Sequence, residues 1–85
     1  MKNLKEYRKE IDEIDDEIIQ LLNERFQISI ELGNYKKENS LEVTDQTREE
    51  EIKIRILNCN TSYLVKEEIL ATYQSIINSS KKLQK

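Results

Sequence analysis

Two cations occupy helix positions at which an apolar core residue would be expected. Arg25 lies in the stretch LLNERFQISIELGNYKK, residues 21–37, and Lys36 follows eleven residues later. Eleven steps of about 100° bring a helix back to within about 20° of its starting direction, so both side chains share one face. Their Cα atoms would lie roughly 16 Å apart. Two long cationic side chains at this spacing could hold one small dianion between them.

Each cation also has a simpler interpretation. Arg25 could form an internal ion pair, or act as a polar residue that sets the register of a coiled coil. Lys36 could be a solvated lysine at the end of a helix. The residues alone leave these alternatives open.

A second set of polar residues begins at position 45. Asp45, Arg48 and Glu49 have i, i+3, i+4 spacing, which places them on one helix face directly before Ile52 and Ile56. The same pattern would arise from simple capping, because acidic residues favour the first turn of a helix. The segment could therefore contribute to a site or only begin a helix.

A third set lies near residue 84. Ser80 and Gln84 form an i, i+4 pair that continues an apolar stripe, although they could also be a polar helix end. The chain has no histidine, so the usual general base at neutral pH is absent. Taken together, the cation-rich interruptions predict a buried polar pocket for a small anion, without specifying a reaction.

Length and composition restrict the class of protein. A chain of 85 residues predicts one domain over 1–85. The net charge of −3 argues against nucleic acid or an anionic membrane as a partner. No apolar run approaches 18 residues and the first residues lack an apolar signal core, so we expect a cytoplasmic location. Cys59 is the single cysteine, and no metal-ligand spacing occurs.

A long first helix is the clearest predicted element. Nine of ten positions in two heptad series are apolar, which predicts a helix from about residue 4 to about residue 38. The series are Leu4, Ile11, Ile18, Arg25 and Leu32, and Tyr7, Ile14, Leu21, Ile28 and Tyr35. Such a helix would be roughly 50 Å long, whereas a compact domain of this size is roughly 30 Å across. The seam therefore needs cover from outside the chain, most simply from a second copy.

Two further helices complete an all-α prediction of long, short and medium helices. Residues 38–44 are predicted to be a loop, and the second helix begins near residue 45. Thr44, Asp45 and Thr47 are all competent N-caps, and Thr47 with Glu50 fits a capping box. The third helix begins within residues 61–66. Its apolar stripe consists of Ile69, Leu70, Tyr73, Ile76 and Ile77.

Three blocks of the sequence resemble the all-helical chorismate mutases, the AroQ class, over essentially the whole chain. The first block is LKEYRKEIDEIDDEIIQLLNERFQISIELGNYK, with an arginine near the start, E-R after a leucine pair and a closing G-x-x-K. The second, VTDQTREEEI, resembles the D-x-x-R-E element of the family. The third, YQSIINSSKKLQ, resembles its Q-x-I-I-x-x-S-x-x-x-Q ending.

The resemblance implies an intertwined homodimer of three-helix chains that converts chorismate to prephenate. This Claisen rearrangement leads toward phenylalanine and tyrosine and uses no cofactor, metal or covalent intermediate. The matching pocket residues in this chain are Arg25, Lys36, Asp45, Arg48, Glu49, Ser80 and Gln84. Arg8 matches an arginine donated across the dimer. It precedes Arg25 by about 25 Å along the helix, so one chain could hardly bring both to one small ligand.

The resemblance also implies roles for these residues. Arg25 and the partner's Arg8 would bind the two carboxylates, and Lys36 with Gln84 would donate to the ether oxygen. Glu49, with help near Asp45, would hold the ring hydroxyl. Ser80 would contact a carboxylate, and Arg48 would support the acids of the second helix or a carboxylate.

Two rival functions remain open on the sequence. An isochorismate pyruvate-lyase shares this fold and also uses a pericyclic route. A non-catalytic helical dimerisation module would instead pair its polar seam residues internally.

Overall fold

The computed structural model describes residues 1–85 and contains three α-helices and no strand. Helix α1 spans Leu4–Glu38, α2 spans Gln46–Leu57 and α3 spans Tyr63–Gln84. The predicted all-α order of long, short and medium helices is confirmed. The start of α3, which the sequence left within six residues, is set by the N-cap Ser62, whose side chain accepts from the backbone N–H of Val65.

Of the three residues predicted as possible N-caps of α2, the structure uses one. Asp45 is the N-cap, and its carboxylate accepts from the backbone N–H of Arg48 at 3.0 Å. Thr44 lies before the cap, and Thr47 is already in the helix. The suggested capping box of Thr47 with Glu50 does not form, because the backbone is already helical one residue after Asp45.

The core of the single chain is small and lies between α2 and α3. Ile52 and Ile56 of α2 pack with Ile77 of α3, and they are the only buried large apolar side chains. Partly buried side chains of α3 surround them, namely Ile69, Leu70 and Tyr73. Helix α3 also packs against α1. Helix α3 therefore joins the other two helices.

Most of the apolar seam of α1 is uncovered in one chain. Ile14 is 55% exposed and Leu21 is 62% exposed, and every heptad position from Leu4 to Ile18 is similarly open. The chain measures 56 × 25 × 15 Å and has a radius of gyration of 16.1 Å. A compact chain of this length would have a radius of gyration near 12 Å. The predicted mismatch between helix and domain length is thus present in the structure.

The backbones of α1 and α3 touch at Gly33 of α1 and Gln84 of α3. Gly33 is buried, and a Cβ atom built on it would lie 2.5 Å from both the Cα and the carbonyl oxygen of Gln84. Only a residue without a side chain fits this contact. The helix crossing therefore fixes the position of the last turn of α3 relative to α1.

None of the three helices combines the length and the apolarity that a membrane-spanning helix requires.

Candidate active site

A cavity of about 430 Å³ lies between the second half of α1, the start of α2 and the end of α3. Its size suits a small-molecule ligand. Seven of the eight site residues predicted from the sequence line it, namely Arg25, Lys36, Asp45, Arg48, Glu49, Ser80 and Gln84. Residues spread over 60 positions of the chain are therefore brought together at one place.

Arg25 lies at one end of the cavity, where one serine contacts its guanidinium and another contacts its backbone carbonyl. Its guanidinium Nη1 donates a hydrogen bond to the Oγ of Ser80, which is 6% exposed. The Oγ of Ser29 donates to the backbone carbonyl of Arg25 at 3.1 Å. No carboxylate lies within 4.0 Å of the guanidinium. The internal ion pair considered for Arg25 is therefore absent from the chain.

Lys36 lies at the other end and contacts two acceptors. Its Nζ donates to the carbonyl oxygen of Val43 at 2.8 Å and to Oε1 of Gln84 at 2.6 Å. Lys36 is half-buried and, like Arg25, has no carboxylate within 4.0 Å. The solvated lysine considered from the sequence is therefore not what the structure shows.

The contact with Lys36 determines the orientation of the Gln84 amide. An ammonium group only donates, so the carbonyl side of the amide must face it. The amide nitrogen Nε2 makes no hydrogen bond to another residue, although Gln84 is only 7% exposed. A glutamine at this place therefore offers two N–H donors to a ligand in the cavity.

The polar residues at the start of α2 have partners within the chain. The carboxylate of Glu49 contacts Nζ of Lys81 at 3.0 Å, and their side chains are 18% and 29% exposed. Asp45 uses its carboxylate to cap α2. The guanidinium of Arg48 contacts Glu51 at 3.2 Å on the exposed surface. Arg48 was expected to support the acids of the second helix or a carboxylate, and in the chain it pairs with Glu51, which is one of those acids.

Several residues of the site were missed from the sequence. Lys81 is 32 positions from Glu49, so no local pattern reveals the pair. Val43 contributes a backbone carbonyl, which is independent of residue type. Ser29 lies four residues after Arg25 on the same helix face, and this spacing could have identified it.

Arg8 is not part of this cavity. It lies on the exposed first turns of α1, away from the other seven residues. The prediction that Arg8 acts in the site of a second copy stays a prediction.

A predominantly apolar groove adjoins the polar cavity at Arg25. It lies between α1 and the first half of α3 and has a volume of about 560 Å³. Its walls include Ile18 and Leu21 of α1 and Leu64 and Ile69 of α3. The groove is larger than the polar cavity but carries few polar groups, so we place the chemistry in the smaller space.

Comparison with known protein families identifies the family of the chain. The family model described as chorismate mutase type II matches residues 7–85. The chain belongs to the chorismate mutase type II family. It is therefore an enzyme with chorismate mutase activity, and the resemblance stated from the three sequence blocks is confirmed.

Individual relatives agree with the family assignment. The chain is 34% identical to a chorismate mutase of Methanocaldococcus jannaschii, in an alignment that covers all of the chain and 87% of that protein. It is 38% identical to a bifunctional chorismate mutase/prephenate dehydratase of Aquifex aeolicus, and it spans only 25% of the length of that relative. A conserved hypothetical protein from Pyrococcus furiosus has a similar structure, with a TM-score of 0.81 and 38% identity over 96% of this chain and 95% of that one.

Proposed function

We propose that the cavity binds the dianion chorismate and converts it to prephenate by pure electrostatics and conformer selection, without a cofactor or covalent intermediate. One observation carries the proposal. Arg25 and Lys36 line the same cavity, both are half-buried, and neither has a carboxylate partner in the chain. Partly buried cations without a counter-charge are costly, so a ligand that supplies two carboxylates complements them.

The rearrangement is unimolecular, and this matches the chemistry of the site. The enzyme has to hold a compact conformer of the substrate and stabilise the charge that develops as the ether C–O bond breaks. It needs no nucleophile. Fixed donors at the two ends of the cavity are suited to this task.

Arg25 binds a carboxylate of the substrate in this proposal. A guanidinium pairs with a carboxylate through two parallel hydrogen bonds, and Ser80 holds the guanidinium in place. Because the Oγ of Ser80 accepts from Arg25, its own proton is free to be donated to the same carboxylate. The partner's Arg8 binds the second carboxylate.

Lys36 and Gln84 stabilise the ether oxygen, on which negative charge grows in the transition state. Their mutual hydrogen bond at 2.6 Å holds both groups close together before the substrate arrives. The Nε2 of Gln84 donates from one side and the ammonium of Lys36 from the other. Such preorganised donors require little reorganisation during the reaction.

Glu49 accepts a hydrogen bond from the ring hydroxyl of the substrate. Its ion pair with Lys81 keeps one carboxylate oxygen occupied and leaves the other available. Asp45 lies at the nearby cap of α2 and assists from there. The ring is thereby oriented relative to the carboxylates.

We also propose that the chain acts as an intertwined homodimer. The exposed heptad positions of α1 and the apolar groove between α1 and α3 support this, because together they form a continuous apolar surface that reaches Arg25. A second α1 in the groove would cover the seam. It would also bring the partner's Arg8 to the cavity, which one chain does not supply.

The decisive experiment removes the ammonium group of Lys36. Loss of one preorganised donor lowers the rate by about 10²–10³-fold. We therefore expect the Lys36→Ala variant to consume chorismate at least that much more slowly, with an unchanged circular dichroism spectrum. Lys37→Ala is the matched control, because Lys37 is adjacent but exposed. Wild-type turnover by Lys36→Ala would contradict the proposal.

The same proteins can be offered isochorismate to test the lyase alternative. A mutase should form prephenate from chorismate faster than it forms salicylate and pyruvate from isochorismate. The opposite ratio would identify a pyruvate-lyase built on the same fold.

A further inference from the structure

Gly33 lies at the point where α1 and α3 come into direct backbone contact. A Cβ atom at this residue would lie 2.5 Å from the Cα and the carbonyl oxygen of Gln84, and 2.9 Å from its carbonyl carbon. All three are backbone atoms, so no side-chain rotation can relieve the contact. Backbone atoms of α1 or of the last turn of α3 must therefore shift to admit a methyl group.

The same contact lies next to the two groups proposed to act on the ether oxygen. Gly33 precedes Lys36 by three residues, which is nearly one helical turn. Gln84 is the last residue of α3, and its side chain reaches back to Nζ of Lys36 at 2.6 Å. The distance between the two backbones at Gly33 therefore determines whether the Gln84 amide can reach Lys36.

We infer that Gly33 is a positioning residue for catalysis, which holds the end of α3 close enough to α1 for Gln84 to act. This inference rests on the proposed function. Ordinary contact between carbon atoms requires about 3.5 Å or more, so a methyl group at position 33 would displace the last turn of α3 by about 1 Å. A displacement of this size at a reacting centre can lower the rate about 10²-fold.

The effect of Gly33→Ala on the contact between α1 and α3 can be distinguished from its effect on the stability of α1. Alanine favours an α-helix more than glycine does, so a Gly33→Ala substitution would strengthen α1 as an isolated helix. A loss of activity would then come from the contact and not from unfolding of α1. Asn34→Ala is the matched control, because Asn34 is exposed in the same turn and gains helix propensity without touching α3.

The first measurement compares steady-state kinetics of wild type, Gly33→Ala and Asn34→Ala. We expect Gly33→Ala to lower kcat by about 10–100-fold while KM changes much less. The carboxylate-binding residues are farther from the contact, because Arg25 lies more than two turns before Gly33 in α1 and Ser80 lies one turn before Gln84 in α3. Asn34→Ala should behave as wild type. If wild type itself does not consume chorismate, the proposed function fails. If wild type is active and Gly33→Ala has a normal kcat, this inference alone is overturned.

The second measurement asks whether Gly33 acts through Gln84. In a Gln84→Ala background the displaced side chain is already missing, so adding Gly33→Ala should lower kcat by at most about threefold more. If the two losses instead multiply, Gly33 does not work through Gln84 and the inference is wrong. A Gly33→Ala protein that is unfolded by circular dichroism would also overturn it, because the contact would then serve the fold as a whole.

Discussion

At the scale of single residues, the amide of Gln84 is the group whose chemistry is most sharply constrained. Its oxygen accepts from Lys36, so its nitrogen is the donor that remains for a ligand. An amide donates at any pH. The wild-type enzyme should therefore lack an acidic optimum.

Replacing Gln84 with glutamate should create such an optimum. An ionised carboxylate has no proton to donate, and the ammonium of Lys36 would favour the ionised form. We expect the Gln84→Glu variant to be nearly inactive at pH 7 and to gain activity only as the pH falls below the ordinary pKa of glutamate, about 4.3, because Lys36 lowers the pKa of the introduced carboxyl. The measurement is kcat/KM against pH for both proteins. A flat profile for the variant would show that Gln84 does not donate to the reacting oxygen.

The ion pair of Glu49 with Lys81 provides a second prediction at this scale. The Lys81→Met substitution removes the cation and leaves the Glu49 carboxylate free to move. Because both side chains are only partly exposed, solvent screens their interaction incompletely. We expect kcat/KM to fall about tenfold, equivalent to about 1.4 kcal/mol. Lys81→Arg, which keeps the charge, should retain most of the activity.

The exposed neighbour Lys82 offers the control for this pair. Lys82→Met changes the net charge by the same amount without touching Glu49, so its kcat/KM should stay near that of wild type. Equal losses in the two methionine variants would mean that overall charge, and not the pairing of Glu49, is responsible.

The residue-scale predictions from the sequence succeeded where helical periodicity carries information. Arg25 and Lys36 were placed on one face by counting residues, and both line the cavity. The contact of Lys81 with Glu49 was missed because it depends on how α3 packs against α2. The sequence predicted that Arg48 supports the acids of the second helix without specifying Glu51, since a flexible side chain at a helix surface can contact any of several acids.

At the scale of the helices, the start of α2 decides where its acidic residues point. Asp45 is the residue that caps the helix, although Thr44 and Thr47 were equally competent by type. An aspartate has the additional advantage that its negative charge interacts favourably with the helix dipole. The cap thus fixes the first turn that carries Arg48 and Glu49.

The cap can be tested by comparing two substitutions in the same turn. Asp45→Ala should destabilise the protein by about 1 kcal/mol, within a range of about 0.5–2, because the N–H of Arg48 loses its acceptor. Thr47→Ala should have little effect or stabilise slightly, since Thr47 is inside the helix and alanine is the better helix former. Urea unfolding at one fixed protein concentration measures both. A larger loss for Thr47→Ala would contradict the assigned cap.

The helix pattern was predictable because apolar periodicity and capping residues are local properties. The heptads of α1 predicted a helix from about residue 4 to about residue 38, and α1 spans Leu4–Glu38. The start of α3 remained open over 61–66 because Thr61 and Ser62 are both plausible caps. The close approach at Gly33 was not predictable, since a lone glycine in a helix does not say which element it meets.

At the scale of the whole molecule, one chain buries too little apolar surface to be expected to fold stably on its own. Only 7 of 85 residues are buried, and three of these are large apolar side chains. Small domains generally need oligomerisation or another support when their core is this limited. The uncovered seam of α1 and the apolar groove beside Arg25 are the surfaces that a second copy would bury.

Mixing two inactive variants tests whether the site is shared between copies. Arg8→Ala and Arg25→Ala should each be nearly inactive as homodimers. After joint unfolding and refolding at equal concentrations, half of the dimers are mixed, and each mixed dimer restores one of its two sites. The mixture should therefore recover about a quarter of wild-type activity, as expected for a two-fold symmetric dimer with shared sites.

The control for this experiment is a mixture of Arg25→Ala with Lys36→Ala. One chain supplies both residues to the same cavity, so a mixed dimer has a defect in each of its sites and activity should not return. Recovery in this control, or its absence in the first mixture, would show that Arg8 does not cross to the other copy.

The two acceptors of Lys36 restrict the direction in which its ammonium group can donate a hydrogen bond to the substrate. A free lysine ammonium is a swivelling point charge with three equivalent protons. Here the Val43 carbonyl and the Gln84 amide accept hydrogen bonds from two of them, so a single N–H remains and these two acceptors fix its direction. The ammonium group can therefore donate a hydrogen bond in one direction only. A substrate oxygen that approaches from another direction is attracted by the positive charge but receives no hydrogen bond.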